Sequence, residues 1–284
     1  MSERKDMGAG FKRLVVELSG IGRVCGPATL ARYSACVIAS IPEILKSGTL
    51  VPADRRMGKG ILKVRPLGTE ILVDGAHWPG VREMYCRNVY LRQWKATIKP
   101  GDRVVDLGAN VGLFSLLAAS AGARVIAVEG QSGFIPEIGK NLERNGVRDR
   151  VSIEFGLIGA GTGVLSGEDG KKRCSHWFET PPVLSMASLL EKNGFDGIDF
   201  LKMDIEGSEF DLFASAGEWL DSVGFIAMEI HPRFGDVVAF RKLLESRGFE
   251  VEASDTGGGR IRPEEMADPA RSDFYLYARG AARR

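Results

Sequence analysis

The sequence predicts an α/β fold: a mostly parallel seven-stranded sheet with an antiparallel edge strand, preceded by a helical and β-hairpin extension. Three observations predict it. Short apolar runs alternate with helix-period segments from residue 103 to residue 246, the pattern of a parallel sheet covered on both faces. The stretch Arg103-Val-Val-Asp-Leu-Gly-Ala-Asn-Val-Gly-Leu-Phe-Ser115 reads as strand, glycine turn and helix in one piece. The first 80 residues lack that alternation. The expected division is 1–80 for the extension and 81–284 for the sheet domain.

Residues 1–50 read as two helices. Phe11, Leu14, Val15 and Leu18 form one apolar stripe, and Leu30, Tyr33, Ala35, Val37, Ile38 and Ile41 form a denser one that Pro42 stops. Ile61–Val64 and Glu70–Val73 flank Pro66-Leu-Gly68 as a hairpin. Residues 81–98, with Met84, Tyr85, Val89, Tyr90, Trp94 and Ile98, read as a helix ending at the Lys99-Pro-Gly-Asp102 turn. Strands follow at 103–106, 124–129, 151–155, 199–203 and 225–230, with helices near 113–121, 136–145, 185–193, 209–216 and 237–246. Strands at 249–253 and 274–278 close the sheet. The stretches 159–178 and 254–272, rich in Gly, Asp, Glu and Arg, read as surface loops.

Composition narrows the class. With 44% hydrophobic and 26% charged residues this is an ordinary globular chain, and 38 Lys+Arg against 37 Asp+Glu give no global pull towards nucleic acid. No nucleic-acid partner is therefore expected. The four cysteines (Cys25, Cys36, Cys86, Cys174) show no C-x-x-C pair, which fits reduced thiols. The opening Met-Ser-Glu-Arg-Lys-Asp does not read as a secretory signal, and the apolar run from Tyr33 to Pro42 is far shorter than the roughly 20 residues of a membrane span. The expectation is a cytoplasmic protein without a membrane span.

The glycine turn carries the chemistry. A dinucleotide site wants G-x-G-x-x-G with backbone and helix dipole aimed at pyrophosphate. Here the order is Asp106-x-Gly108-x-Asn110-x-Gly112, without the central glycine and with an acid at the strand end. That suits a cationic ligand without phosphate. Glu129, at the tip of the second strand, is placed for two ribose hydroxyls. S-adenosylmethionine answers both: Asp106 would meet its ammonium directly or through water, the N–H groups from Gly108 to Gly112 its carboxylate, and Glu129 its ribose.

At Val104-Val-Asp-Leu-Gly-Ala-Asn-Val-Gly112 the chain resembles the FkbM family of S-adenosylmethionine-dependent methyltransferases. Phe200-Leu-Lys-Met-Asp-Ile-Glu-Gly-Ser-Glu209 is similar to the family's LK-x-D-x-EG-x-E block, and Met228-Glu-Ile-His-Pro232 to its E-x-H strand end. The resemblance implies a class I (Rossmann-like) methyltransferase fold and O-methylation of a hydroxyl on a sugar, a glycolipid or a polyketide-like product. Two departures stand out. Ser185-Met-Ala-Ser-Leu-Leu190 lacks the acid usual before the fourth strand, although Ser188 can cap that helix. Gly156-Leu157-Ile158 offers no acid to adenine, which leaves that contact to backbone atoms around Leu157.

Methyl transfer to an alcohol needs alignment and a base. Asp204 and Glu206 share parity after the fourth strand, and Glu229 and His231 share parity at the next strand end. The expected base is Asp204 or His231, with Glu206 and Glu229 orienting the acceptor or the imidazole. Asp204 also falls within reach of the cofactor. A hard divalent ion such as magnesium on these oxygens and His231 is the lesser variant. His77-Trp78 and His176-Trp177 could line an acceptor pocket. The expected acceptor is a small molecule or glycan. A nucleic-acid methyltransferase and a non-catalytic S-adenosylmethionine-binding module remain as alternatives.

Overall fold

The computed structural model describes residues 3–159, 179–268 and 271–280, with side chains from residue 14 onwards. It forms two compact units, Met1–Val89 and Tyr90–Arg284.

In the first unit, helix α1 (Glu3–Ala39) is followed by α2 (Ile41–Ser47), α3 (Val51–Met57), the antiparallel pair β1 (Ile61–Val64) and β2 (Ile71–Asp74), and α4 (Trp78–Val81). The span of α1 consists of two helical pieces, as expected, which meet at Gly26, whose φ of 79° and ψ of 172° break the spiral ahead of Pro27. The Val24 carbonyl accepts the Arg65 N–H at 2.7 Å, so a backbone group beside the kink is satisfied from the hairpin. Pro42 does not stop a helix; it occupies the first turn of α2, where its missing N–H costs nothing. Between Leu14 and Ala39, α1 is long and apolar enough, by length and composition alone, to cross a membrane, which the shorter Tyr33–Pro42 run did not reveal. Its inward face is nevertheless polar in places. Arg82, in a π-helical turn at Arg82–Cys86, donates to both oxygens of Asp54 at 2.9 and 2.8 Å and also to Glu17, and Tyr33 donates to Asp54 at 2.8 Å. All four side chains are buried or nearly so, which makes this network a fixed part of the unit's core. Burial, partly opposed by the Arg82 charge, pushes the Tyr33 hydroxyl pKa well up. Trp78 is fully buried against Tyr33, so it is core and not pocket lining, while His176-Trp177 lies outside the described residues. The Sγ atoms of Cys25 and Cys86 lie 3.9 Å apart as free thiols.

The predicted helix over 81–98 ends early. After the π-helical turn the chain leaves helical geometry, and Trp94 and Lys95 adopt left-handed φ values of 48° and 52°.

In the second unit, eight strands form one sheet in the order β11-β10-β12-β9-β8-β3-β4-β5. The strands are β3 (Arg103–Leu107), β4 (Arg124–Glu129), β5 (Val151–Phe155), β8 (Phe200–Met203), β9 (Phe225–Ile230), β10 (Glu250–Ser254), β11 (Arg260–Ile261) and β12 (Phe274–Arg279). Strands β3, β4, β5, β8 and β9 are mutually parallel, and β12, β10 and β11 add antiparallel edges. The eighth strand, β11, and the short helix Pro263–Met266 fall where a plain loop was expected. A separate parallel pair, β6 (Leu157–Ile158) and β7 (Val183–Leu184), was also not anticipated. Helix α5 (Leu113–Ser120) is buried from Leu113 to Ala119, as expected of a helix apolar all round, whereas α6 (Ile135–Arg144) buries only Ile138, Asn141 and Leu142. Ser185, not Ser188, caps the helix Met186–Lys192 by accepting the Ser188 N–H at 3.1 Å. This is the class I methyltransferase fold.

From β3 the chain winds outward through β4 and β5, then crosses back to place β8 on the other side of β3. Such a reversal opens a crevice at the carboxyl ends of the flanking strands, where ligands of α/β sheets bind. The ends of β3 and β8 are Asp106-Leu-Gly108 and Met203-Asp204.

Candidate active site

The β3–α5 turn is held from within. Gly108 (φ 73°) runs so close to β8 that a Cβ would overlap the Asp204 carbonyl, and a Cβ on Gly112 (φ 78°) would press on Ile138 at 2.9 Å. Gly108 and Ala109 donate to the Val128 carbonyl at 3.0 and 2.9 Å, and Gly112 donates to the Ala109 carbonyl at 2.8 Å. The Asn110 N–H goes to Glu129 Oε2 at 2.6 Å, and the Val111 N–H to Asn110 Oδ1 at 2.8 Å. Every N–H from residue 108 to residue 112 thus has an acceptor inside the protein. This corrects the expectation that these groups stand ready for a cofactor carboxylate.

Asp106 is closed to direct contact with an ammonium. It is fully buried, with Oδ2 accepting from Ser115 N at 3.1 Å and Ser115 Oγ at 2.7 Å. Its Oδ1 lies 3.0 Å from Lys202 Nζ, which also donates to the Gly108 carbonyl at 2.7 Å. No surface of Asp106 is left for an ammonium. Burial pulls the Lys202 pKa down, but the charges of Asp106 and Asp204 outweigh it and leave the amine above its ordinary value.

Glu129, only 5% exposed, accepts the Asn110 N–H and, through Oε1, the Gln131 N–H at 2.7 Å. Burial raises its pKa against the pull of those two bonds. Each oxygen keeps a second lone pair, so the ribose role fits the geometry. Asn110, exposed and left-handed at φ 52°, is the open side chain of the turn. The Leu157 N–H is taken by the Pro182 carbonyl at 2.8 Å and cannot serve adenine; its side chain instead lies over Gly130, beside Glu129.

At the neighbouring strand ends the acids converge. Asp204, half-buried, follows β8 with its N–H on the Leu107 carbonyl at 3.0 Å and the Tyr90 hydroxyl 3.5 Å from Oδ2. Glu206 takes a left-handed φ of 53°, and the next residue, Gly207, lies against the Phe234 ring with no room for a Cβ. His231 is 3% exposed; Nδ1 bonds Glu209 Oε1 at 2.5 Å, and Nε2 faces Glu206 Oε2 at 3.7 Å. Burial lowers the His231 pKa, but the Glu209 hydrogen bond and the charges of Glu209, Asp204 and Glu229 more than offset this and hold it at about 9. Partial burial, followed by the Asp204 charge, raises the Glu206 pKa.

Asp204, Glu206 and His231 each offer a donor atom within 4.8 Å of the others, as do Glu229, His231 and Asp273. These are the side chains that could hold a hard divalent ion. The expected quartet of Asp204, Glu206, Glu229 and His231 does meet at one rim. Sequence reasoning missed Lys202 and Glu209, although both lie in the Phe200–Glu209 block and Lys202 shares parity with Asp204. Tyr90 and Asp273 reach the rim from distant segments and left no signal.

Residues 106–251 match the methyltransferase FkbM domain. Curated relatives include the ribosomal protein L11 methyltransferase of Desulfitobacterium hafniense, 36% identical over 78 residues (28% of this chain, 24% of that protein). The 23S rRNA (uracil(1939)-C(5))-methyltransferase RlmD of Aromatoleum aromaticum is 42% identical over 52 residues (18% of this chain, 12% of that protein). The chain thus spans about a quarter or less of the length of these relatives. Among solved structures, the METTL16 MTase domain aligns with a TM-score of 0.43 at 12% identity, covering 71% of this chain and 67% of that one. The expectation of no nucleic-acid partner is overturned, since an rRNA methyltransferase stands among the relatives. Net charge was the wrong observable, because an acceptor is gripped by a local surface whatever the chain's total.

Proposed function

Because the chain belongs to the FkbM methyltransferase family, we propose that it transfers a methyl group from S-adenosylmethionine to a hydroxyl oxygen of a sugar, glycolipid or polyketide-like molecule. When bound, the cofactor supplies an activated methyl on a sulfonium. The observation that carries the oxygen-acceptor reading is the Glu209–His231 dyad: a buried carboxylate fixes Nδ1 and points Nε2 at the rim between Asp204 and Glu206. That is the arrangement of a positioned base, with Nε2 receiving the hydroxyl proton. Glu206 and Glu229 orient the acceptor. Asp204, beside the glycine turn, takes the role towards the cofactor ammonium that buried Asp106 cannot, and Glu129 holds the ribose.

A second reading, methylation of RNA or of a ribosomal protein, is favoured by the names of the matched relatives. One screen separates the two. Purified protein is incubated with labelled cofactor and panels of sugars, glycolipids, polyketide aglycones, RNA and ribosomal proteins, and mass spectrometry places the methyl. Transfer to an oxygen of a small acceptor supports the proposal; transfer only to a base or a protein side chain sinks it. A divalent ion on Asp204, Glu206 and His231 is the competing use of those side chains. Loss of turnover in chelator, restored by magnesium, would establish it.

A further inference from the structure

The first unit carries a surface that its own fold does not use. Eight of the nine large exposed hydrophobic side chains among the described residues fall between Val15 and Leu67. Helix α2 buries none of its residues, although its sequence is Ile-Pro-Glu-Ile-Leu-Lys-Ser. Ile38, Ile41 and Leu45 follow one another at i, i+3 and i+7 across the end of α1 and along α2, and Leu45 is 80% exposed. Val51 continues the exposed apolar run at the start of α3.

Charge is distributed to match. Residues 30–65 hold seven Lys and Arg against two acids, Glu43 and Asp54, whereas the whole chain balances 38 against 37. Asp54 is buried on Arg82, and Glu43 is paired with Arg56 at 3.1 Å. Lys46, Arg55 and Lys59 are exposed and carry no ion pair among the described residues.

We propose that α2 and the adjoining ends of α1 and α3 form a docking surface for an anionic phospholipid bilayer, with Ile38, Ile41, Leu45 and Val51 entering the interface and Lys46, Arg55 and Lys59 meeting the headgroups. The combination of an aliphatic stripe and a basic rim is what an interfacial helix needs. Three features choose this occupant. The exposed large hydrophobics are all Val, Ile or Leu, whereas single-stranded nucleic acid is gripped by stacking on aromatic faces. A second copy of the same patch would bring like charges together. Crossing the bilayer would pull α1 off the core that Glu17 and Tyr33 share with Arg82 and Asp54, whereas lying on it leaves that network intact. The inference goes beyond the acceptor assignment and stands whatever becomes methylated.

The test is vesicle flotation of the full chain. Wild type is expected to float with phosphatidylcholine vesicles containing about 30% phosphatidylglycerol, and not with phosphatidylcholine alone, and to detach as salt rises towards about 1 M. Lys46→Glu with Arg55→Glu and Lys59→Glu lowers partitioning on the order of 100-fold, since each cation near such a surface is worth about fivefold. Ile41→Ser with Leu45→Ser lowers it about tenfold or more. All five positions are exposed, so circular dichroism and the melting temperature stay unchanged. Equal binding to both vesicle types, or none, overturns the proposal without reference to any variant. Concentration-dependent dimerisation lost in the serine variant, or tRNA binding lost in the charge variant while vesicles are ignored, overturns it in favour of self-association or nucleic acid.

Discussion

Replacing Glu209 by Gln tests the dyad most directly. The amide keeps the shape and can still accept the Nδ1–H at the 2.5 Å position, but it removes the charge that holds the His231 pKa at about 9. In wild type at pH 7, about one molecule in a hundred has a neutral imidazole and at pH 9 about half do, so kcat should rise roughly 50-fold between pH 7 and pH 9. In Glu209→Gln the charge of Glu209 is gone while burial still lowers the pKa against the Asp204 and Glu229 charges, so the pKa falls and the rise over the same interval shrinks severalfold. The variant's rate at pH 9 falls tenfold or more, because a less basic, less firmly held ring accepts the proton poorly. Stability follows the same titration. A folded-state pKa raised from 6.5 to about 9 gives stability that is complete below the unfolded value and lost as pH climbs through about 9. The upper bound is about 3 kcal/mol. The wild-type melting temperature should therefore drop between pH 7 and pH 9.5, and the drop should shrink in the variant. With three histidines in the chain, ring-proton NMR can follow His231 itself. A wild-type His231 titrating near its ordinary value, or a kcat flat from pH 6 to pH 10, refutes the reasoning.

Three further outcomes follow from the site. Gly108→Ala cannot place its Cβ beside the Asp204 carbonyl at φ 73°, so cofactor binding measured by calorimetry should be lost. Lys202→Met strands the Asp106 charge in the core and should cost about 3–5 kcal/mol in denaturant unfolding, while adding Asp106→Asn should recover most of it. Glu129→Gln weakens two charge-assisted bonds to the turn and the contact proposed for ribose; the cofactor Kd should rise roughly 10–100-fold, and an unchanged Kd would remove Glu129 from the site.

The sheet was legible because its strands are short apolar runs, many of them flanked by a glycine such as Gly122, Gly130, Gly156 or Gly224, and the β4, β5 and β9 limits match the expected ones residue for residue. Local pattern failed where geometry depends on the partner. Residues 87–98 keep helical spacing of apolar side chains, yet Trp94 and Tyr90 serve aromatic contacts to Phe225, Phe114 and Tyr275, and the backbone turns left-handed to allow them. At the site, position at two neighbouring strand ends brought Asp204, Glu206, Glu229 and His231 to one rim, Glu206 through a left-handed φ of 53° and not through strand parity. Strand position could not show that Glu209, on the first turn of a helix, would reach back to the imidazole.

The acid of the glycine turn shows why a motif residue need not touch what the motif binds. An acid at a strand end beside a pocket suggests a partner for a cation, and Asp106 has one, but the cation is Lys202 of the protein itself. The buried pair ties the end of β3 to β8, and Lys202 reaches on to the Gly108 carbonyl while Asp106 anchors the start of α5 through Ser115. Together with Glu129, which clamps Asn110, these charges hold the turn in shape before any ligand arrives. The spacing of Asp106 and Lys202 on adjacent strands, at register partners Asp106 and Lys202 in the β3–β8 ladder, is therefore a single device, and neither residue can change alone. Under the proposed function, contact with the cofactor would fall to the Asn110 side chain, the spare lone pairs of Glu129, and Asp204.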